Sequence, residues 1–349
     1  MTYLRNTWYV AGMSDELLPG QLLARTYLDE PVVLFRNAAG EPQALVDRCP
    51  HRFAPLSAGK LCEGGNTVQC GYHGLQFNGK GACTSNPHGD GRIPSAAIVR
   101  SYPVMEKFGV VWIWMGDAAQ ADPSKIPDLS CLDRERNHVA MGYLFIESNY
   151  MLENDNILDL SHIEFLHPGS LGSEAVRSAL TELKQEGNTV WSMRQMVNEV
   201  MPDMMYHLLE YPLGQPVDRW IDVRWDAPSN MVLFSGATFT GRARSEGRAT
   251  EFPHLFTPQT ERSTHYWFAV CMDKTAWPDG AQRSQMTLEG VSAPFTHEDK
   301  PMLEAQQARM GDAEFWSLKP VLLPSDAPGV RARRVLDGLI AAEQAAQKE

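Results

Sequence analysis

Two short stretches of the sequence each place a cysteine close to a histidine. Cys49-Pro50-His51 has one residue between the pair, and Cys70-Gly71-Tyr72-His73 has two. Two thiolates and two imidazoles suit either a zinc ion or a [2Fe-2S] cluster in which histidines bind one of the irons. Both pairs lie in hairpin-like stretches, whereas classical zinc fingers carry their histidines on a helix. The spacing predicts a metal site and leaves zinc and the cluster as alternatives.

A second concentration of possible metal ligands lies in the stretch NDNILDLSHIEFLHPG, which contains Asn156, Asp159, His162 and His167. Asp159 and His162 are three residues apart and would share one helix face. His162 and His167 are about 140° apart on a regular helix, so both reach one metal only if the helix widens or ends between them. Pro168 favours an end. The alternative is a solvated polar helix face.

The bulk composition narrows the class of protein. The chain has 349 residues, enough for about two domains, and its net charge of -12 argues against a nucleic-acid binder. The longest apolar run, FGVVWIWM, is too short to span a membrane, and the N-terminus lacks a signal-peptide pattern. We predict a cytoplasmic protein that binds neither nucleic acid nor membrane. The other four cysteines are predicted to be ordinary small side chains: Cys62, Cys83, Cys131 and Cys271.

The pattern of short apolar runs divides the chain near residue 120. Residues 1–120 contain strand-like runs separated by glycine turns, as in EPVVLFRNAAGEPQALV, which is typical of a small barrel or sandwich. Residues 121–349 begin with a polar, proline-marked stretch and are predicted to be α+β, an antiparallel sheet covered by helices. Its strand candidates are TVWSMRQMV, RWIDVRWDA, MVLFSGATF and STHYWFAVCM, and its last 50 residues are predicted to form helices over KPMLEAQQARM and GVRARRVLDGLIAAEQAAQ.

Taken together, these stretches resemble the Rieske non-heme iron oxygenases. CPHR and CGYHG match the Rieske patterns C-x-H-R and C-x-Y-H-G, and N-x-x-D-x-x-H-x4-H is similar to the mononuclear iron motif. The opening RNTWYVAG is most similar to the branch of vanillate O-demethylase and dicamba monooxygenase. The resemblance implies an all-β Rieske [2Fe-2S] domain over 1–120 and a helix-grip (START/Bet v 1-like) catalytic non-heme iron domain over 121–349.

The resemblance also implies which residues bind the metals. Cys49 and Cys70 would bind one iron of the cluster, and His51 and His73 the other. His162 and His167 would supply two ligands of a mononuclear Fe(II) centre with positions open for dioxygen. Asp299 matches the third ligand, with Glu298 as the alternative. Thr296 and Asp299 also form a pattern similar to a helix capping box, which is the structural alternative for Asp299.

Two further residues of the second stretch acquire roles from the resemblance. Asp159 would bridge His73 of a neighbouring chain to His162 of its own chain, so that electrons cross between subunits of a head-to-tail homotrimer. Asn156, one helix turn earlier, would lie near the iron without binding it tightly.

The implied activity is hydroxylation of the methyl group of a methoxy-aromatic acid such as vanillate, with loss of formaldehyde. The alternative is hydroxylation of a ring, a side-chain methyl or an N- or S-alkyl group by the same machinery. In the pocket, His254 would bind the substrate's carboxylate or phenol, or else be a core histidine satisfied by the backbone. Leu233 is predicted to be apolar wall. The run AVCMDK departs from close relatives and leaves the substrate open.

The resemblance implies partners as well. Electrons from NADH would arrive through a flavin and iron-sulfur reductase or a ferredoxin, because the sequence has no flavin or nicotinamide fingerprint of its own. Dioxygen and a small aromatic molecule would be the substrates. Two other classes are weighed: a Rieske electron carrier, which would be about 100 residues long and lack the second iron motif, and a zinc-binding structural protein.

Overall fold

The structure is a computed structural model that describes residues 3–347. The chain forms two compact units. The smaller consists of Arg5–Ile126 with Thr257–Thr260, and the larger is formed mainly by Pro127–Phe256 and the chain that follows Glu261. Within the described residues 3–347, no helix is both long and apolar enough to cross a membrane.

The smaller unit is built from three sheets of short strands. β1, β11 and β10 form the first sheet, β2, β3, β4 and β9 the second, and β5 to β8 the third. A turn at Asn37–Gly40, within the run EPVVLFRNAAGEPQALV, joins β3 to β4, with the Gly40 N–H donating to the Asn37 carbonyl. The strand bounds are β1 Trp8–Met13, β2 Leu23–Tyr27, β3 Glu30–Arg36, β4 Pro42–Val46, β5 Lys60–Cys62, β6 Thr67–Gln69, β7 Gln76–Asn78, β8 Cys83–Ser85, β9 Ser101–Tyr102, β10 Val104–Lys107 and β11 Val110–Trp114.

One buried apolar cluster of the smaller unit lies where the second and third sheets contribute side chains. Val33, Phe35 and Leu45 come from β3 and β4, and Val68 and Phe77 from β6 and β7. Cys49 and Cys70 belong to the same cluster. The two thiols are therefore held by the core itself, so their positions are fixed by packing rather than by flexible loops.

The larger unit contains one seven-stranded sheet in the order β12-β18-β17-β16-β15-β14-β13. Neighbouring strands such as β15 and β16 are antiparallel, with Ile221 opposite Ser235. Successive side chains of a strand point to opposite faces, so alternate residues of the central strands lie on the same face of the sheet. The bounds are β12 Asn137–Ile146, β13 Leu180–Glu186, β14 Thr189–Glu199, β15 Val217–Asp226, β16 Asn230–Phe239, β17 Arg248–Thr260 and β18 Ser263–Asp273.

Six α-helices belong to the part of the larger unit that the structure describes. Their bounds are α1 Tyr150–Leu158, α2 Ile163–Leu166, α3 Asp203–Leu209, α4 Gly280–Pro294, α5 Lys300–Met310 and α6 Ala327–Ala346. The Asn149 side chain caps α1 by accepting a hydrogen bond from the Met151 N–H, at 2.9 Å. A π-helical segment, Phe295–Asp299, joins α4 to α5.

The predicted fold class is confirmed: an N-terminal all-β unit precedes a large antiparallel sheet with helices. All four strand candidates of the second part are strands, in β14, β15, β16 and β18. Four elements were not predicted from the sequence: β13, β17, α3 and α4. β13 is largely exposed and lacks an apolar face, and α4 contains Pro294 and no regular apolar stripe.

An ion pair holds the C-terminal helix α6 against α1. The guanidinium of Arg333 donates to both carboxylate oxygens of Asp155, with an Nη2–Oδ2 distance of 2.5 Å, and to the Met151 carbonyl at 3.2 Å. Its guanidinium carbon lies 4.0 Å from the centre of the Phe315 ring. At Gly329, an added Cβ would lie 2.9 Å from Asp155 Oδ1, so the two helices approach closely there.

Replacing Arg333 with methionine is expected to lower the free energy of unfolding of the larger unit by about 2 kcal/mol. Removing one partner of a buried pair leaves the other charge uncompensated, and the partial exposure of Asp155 reduces the loss. The thermal unfolding midpoint measures the change. The matched control is Arg334→Met on the exposed face of α6, which should change stability by less than about 0.5 kcal/mol. Equal effects of the two substitutions would contradict the assignment.

Candidate active site

The two Cys/His loops of the smaller unit have the same backbone design. Each cysteine donates its N–H to the carbonyl five residues later and accepts from the N–H four residues later, with distances of 2.8 to 3.0 Å. The fourth residue after each cysteine, Phe53 or Gly74, has a positive φ. Glycine adopts this conformation easily, whereas Phe53 does so at a cost in strain. Both loops therefore present their side chains in matching geometry.

The side chains of these loops form two pairs at different depths. The rings of His51 and His73 lie edge to face, with centroids 4.4 Å apart. Cys49 and Cys70 are buried, and burial together with the nearby Cys70 thiol raises the pKa of Cys49. Two buried thiols behind two outward imidazoles are the donor set that a histidine-ligated [2Fe-2S] cluster requires, so the residues present fit that group.

In the larger unit, the helix that carries the second motif is interrupted. α1 ends at Leu158, Asp159 leaves helical geometry with φ of -116°, and a 3₁₀ turn covers Leu160–His162. α2 follows for four residues, and His167 lies immediately after its end. These interruptions bring the two imidazoles together, with ring centroids 5.4 Å apart. A regular helix would have separated them.

Asp299 completes a group of three possible metal ligands. Its carboxylate lies 3.1 Å from His167 Nε2 and 3.5 Å from His162 Nε2. One ligand atom from each of the three residues lies within 4.8 Å of the other two. Two imidazoles and one carboxylate on one side of a metal leave other coordination positions open, which is the donor set of non-heme Fe(II) oxygenases.

Asp299 lies in the π-helical segment Phe295–Asp299, inside a run of helix that continues from α4 to α5. Pro301 lacks an N–H and its ring clashes with the carbonyl four residues earlier, which favours a local widening of this kind. The capping-box interpretation of Thr296 and Asp299 is wrong, because Thr296 lies inside the π-helical segment that continues from α4 and so does not precede a helix N-terminus. The wide turn instead directs the Asp299 carboxylate toward the imidazoles.

The Nδ1 atoms of both imidazoles, which point away from Asp299, form hydrogen bonds. His162 Nδ1 donates to the Asp159 backbone carbonyl at 2.8 Å, because a carbonyl oxygen can only accept. His167 Nδ1 lies 2.5 Å from Glu298 Oε2 and donates to that carboxylate. Both tautomers leave an Nε2 lone pair facing Asp299, as metal binding requires. Burial lowers the pKa of His162, which favours its neutral form. The geometry therefore favours Asp299 over Glu298 as the third ligand.

Asn156 and Asp159, also predicted to belong to the site, lie beside the three candidate ligands. Asn156 donates from Nδ2 to Asp299 Oδ1 at 3.1 Å. The Asp159 carboxylate accepts from the Ser161 N–H at 3.0 Å and lies 3.5 Å from Arg194. The expected hydrogen bond from His162 to the Asp159 carboxylate is absent from the described structure, since the backbone carbonyl of Asp159 takes its place. The carboxylate thus keeps an oxygen for another donor.

The three candidate ligands border a cavity under the central strands. Leu233 and His254 both line it. His254 Nδ1 lies 2.6 Å from the Tyr266 hydroxyl, and Nε2 has no hydrogen-bond partner among residues 3–347. Burial lowers the pKa of His254 to about 3. The rest of the lining is mostly apolar: Ile157, Leu160, Ile163, Leu171, Met204, Met205, Leu208, Ile221, Phe252, Val291 and Phe295.

Sequence reasoning missed three polar residues of this region. Arg219 and Ser235 line the cavity, and Glu199 forms an ion pair with Arg219. Arg219 and Ser235 lie in runs that were identified only as strands, and no local pattern shows that alternate positions of β15 and β16 face a cavity beside a metal group. Only the pairing of the strands could have identified them.

Comparison with known proteins identifies the family. Residues 146–342 match the model described as the vanillate O-demethylase oxygenase C-terminal domain, and residues 7–103 match the Rieske [2Fe-2S] domain. The chain belongs to the Rieske non-heme iron oxygenases. It therefore carries a [2Fe-2S] cluster and a mononuclear iron, which rules out the zinc alternative.

Relatives of this Rieske oxygenase act on different bonds. The oxygenase component of a chloroacetanilide N-alkylformylase from Rhizorhabdus wittichii is 36% identical, covering 98% of this chain and 97% of the relative. That of a dicamba O-demethylase from Stenotrophomonas maltophilia is 35% identical, covering 97% and 98%. A crystal structure of dicamba monooxygenase bound to 3,6-dichlorosalicylic acid superposes with a TM-score of 0.91 at 35% identity, covering 99% of this chain and 100% of that chain.

Proposed function

We propose that the chain is an oxygenase component that hydroxylates the methyl carbon of a methoxy-aromatic substrate, which then loses formaldehyde. The observation that carries the proposal is the largely apolar cavity bordered by His162, His167 and Asp299. Such a cavity suits an aromatic ring, and the open side of the ligand group faces the same space. Relatives named as dicamba and vanillate O-demethylases support the choice of bond.

The proposed ligands follow from the donor sets. Cys49 and Cys70 would hold one iron of the cluster, and His51 and His73 the other. His162, His167 and Asp299 would hold the mononuclear iron, which when bound supplies the redox chemistry that activates dioxygen. Asn156 would hold the Asp299 carboxylate through its 3.1 Å hydrogen bond, and Glu298 would fix the His167 tautomer. The apolar walls would exclude water and place the methyl group beside this centre.

The reaction balances with an external electron source. One oxygen atom of dioxygen enters the methyl C–H bond, and the other is reduced to water with electrons from the donor and protons from solvent. In the resulting hemiacetal, the bond between the hydroxylated carbon and the ether oxygen then breaks. Its hydroxyl proton passes to the phenolate oxygen, which leaves a phenol and formaldehyde.

Electron delivery would require other chains. We propose a reductase that contains flavin and an iron-sulfur centre, or a ferredoxin, as the donor, with NADH as the source. We also propose a homotrimer in which the Asp159 carboxylate accepts a hydrogen bond from His73 of a neighbouring copy. The partial exposure of that carboxylate, 19% of its side chain, is compatible with such a contact.

A second candidate is removal of an alkyl group from nitrogen. It is favoured by the relative named as a chloroacetanilide N-alkylformylase, which is 36% identical over 343 residues. Hydroxylation of the carbon attached to nitrogen gives a hemiaminal that releases an aldehyde in the same manner. The released aldehyde, together with the product amine or phenol, distinguishes the two activities.

The proposed function is tested by single turnover, which removes the dependence on an unidentified donor. The holoenzyme is reduced chemically, freed of reductant and mixed with dioxygen and a panel of aryl methyl ethers and N-alkyl anilides. We expect close to one formaldehyde per active centre from at least one methyl ether, together with the matching phenol. Ring-hydroxylated product without aldehyde would contradict the proposal. Asp299→Ala enzyme serves as the control for aldehyde formed without the mononuclear centre.

A further inference from the structure

Ser235 is a polar residue in a mostly apolar part of the cavity wall. It lies on β16, it lines the cavity, and only 3% of the residue is exposed. Its Oγ has no hydrogen-bond partner among residues 3–347. A buried hydroxyl without a partner costs free energy, so a group of this kind usually bonds to a water molecule or a ligand. Packing alone therefore gives no reason for a serine at this position.

The register of the central strands identifies the neighbours of Ser235. It lies opposite Ile221 of β15 on one side and opposite Thr250 of β17 on the other. Residues directly opposite each other share a face of the sheet, so the three side chains point the same way. Thr250 Oγ1 is also buried and lacks a partner within the described part of the chain. Ile221 and Ser235 line the cavity and Thr250 does not, so Ser235 carries the hydroxyl that a bound molecule can reach.

The next positions on this face of the sheet are apolar. Leu233 lies opposite Phe252, and both line the cavity. Beyond them on β17 is His254, whose Nε2 is buried and unpartnered among residues 3–347. Thr250, which marks the level of Ser235, is four residues from His254, or about 13 Å along the strand. The cavity face thus presents a polar atom, an apolar stretch and a second polar atom in that order.

This order matches an aromatic ring that carries a polar group at each end. The ring can pack against Leu233 and Phe252 while one substituent reaches His254 and the other reaches Ser235. A benzene ring with oxygens at opposite positions, extended by a hydrogen bond of about 2.8 Å at each end, has a length of the same order as the separation of the two polar side chains.

We propose that Ser235 is a specificity-determining residue that hydrogen-bonds an oxygen substituent of the aromatic substrate, at the end of the ring remote from His254. The inference rests on the proposed function and deepens it. A serine hydroxyl both donates and accepts, and a phenolic hydroxyl does the same, so a phenol is the substituent that suits this position. A methyl group of similar size would leave Ser235 Oγ buried without a partner.

The test uses matched ligands in which a methyl group replaces one hydroxyl. Vanillate is compared with its methyl analogue, and isovanillate with the corresponding methyl analogue, each as the acid and as the amide. Dissociation constants are measured by calorimetry on the holoenzyme with dioxygen excluded. For at least one pair we expect the hydroxyl compound to bind more tightly to the wild type, because its methyl partner leaves a buried hydroxyl unpaired.

The deciding quantity is how this preference changes in Ser235→Ala enzyme. The preference for hydroxyl over methyl is expected to fall at least about 10-fold, because the ligand hydroxyl loses its partner while the methyl group gains an apolar neighbour. The substitution also removes an unpartnered buried polar atom, so the thermal unfolding midpoint should be no lower than that of the wild type. The matched control is Ser284→Ala on α4, which should keep the wild-type preference. Its hydroxyl donates to the Ala281 carbonyl at 3.2 Å, and it does not line the cavity.

The outcomes separate this inference from the proposed function. An equal preference in wild-type and Ser235→Ala enzyme for every pair, or no binding by any hydroxyl compound, overturns the role of Ser235. A lowered unfolding midpoint or a failure to fold would assign the hydroxyl a structural partner and overturns it as well. Formaldehyde released in the single-turnover experiment in those cases leaves the proposed function intact. If the preference depends on Ser235 and no methyl ether yields formaldehyde, the role of Ser235 stands and the proposed function fails.

Discussion

Asp299→Ala enzyme is expected to lose its mononuclear iron and keep its [2Fe-2S] cluster. Among residues 3–347, the Asp299 carboxylate is the one acidic group that faces both His162 Nε2 and His167 Nε2, at 3.5 and 3.1 Å. Without it, two neutral imidazoles remain, and they bind Fe(II) much more weakly than a set that includes a hard, charged oxygen ligand. Turnover should fall at least about 100-fold, since the metal centre provides the reactive chemistry.

Iron content measures the loss directly. A [2Fe-2S] cluster holds two irons, so the expected ratio falls from about three to about two per chain, with the visible spectrum of the cluster unchanged. Glu298→Gln is the matched control from the adjacent position. It removes the charged acceptor of His167 Nδ1 and should lower iron affinity by about 10- to 100-fold without abolishing binding. The reverse ranking of the two variants would make Glu298 the ligand.

The parts of the site that the sequence predicted are those with short-range patterns. Cys49 lies with His51 in one hairpin loop, and Cys70 lies with His73 in another. The residue spacing within each loop therefore largely determines how far apart the thiol and the imidazole are. The interruption between His162 and His167 was expected for the same reason: five residues of regular helix cannot present both rings to one point. Local chain geometry thus predicted that each Cys/His pair shares one loop and that the helix must be interrupted between His162 and His167, whereas their assignment as ligands came from the resemblance to the family.

The parts that escaped prediction depend on pairing between distant segments. Glu199 and Arg219 become neighbours only through the register of β14 and β15. Glu298 and His167 are 131 residues apart. Even the partner of His162 was misassigned, because whether the carboxylate or the carbonyl of Asp159 faces Nδ1 is decided by backbone angles that residue spacing does not specify. These contacts determine how the side chains around the candidate metal ligands are oriented.

Asp159→Asn enzyme is expected to retain both metal centres and to lose at least about 99% of its turnover. The Asp159 carboxylate has no hydrogen bond to His162 in the described structure, so the substitution leaves the His162 tautomer to the unchanged backbone carbonyl. An asparagine Oδ1 can still accept from the Ser161 N–H, so the turn should persist. What changes is the negative charge that we propose accepts a hydrogen bond from His73 of a neighbouring copy. Such outer hydrogen bonds typically contribute 10- to 100-fold or more to activity.

Electron transfer can be separated from ligand binding by stopped-flow measurement of cluster oxidation. In Asp159→Asn enzyme, chemically reduced cluster should reoxidise at least about 100-fold more slowly after mixing with substrate and dioxygen, while iron content stays at the wild-type level. Asp155→Asn is the control on α1: it weakens the Arg333 pair and should lower stability while reoxidation stays near normal. Loss of iron from Asp159→Asn enzyme would make Asp159 a ligand, and normal reoxidation would remove it from the electron path. The carboxylate is 19% exposed and its described hydrogen bonds go to Oδ1, so a donor from a neighbouring chain can reach it. Slow reoxidation in this variant would therefore support the proposed contact between chains.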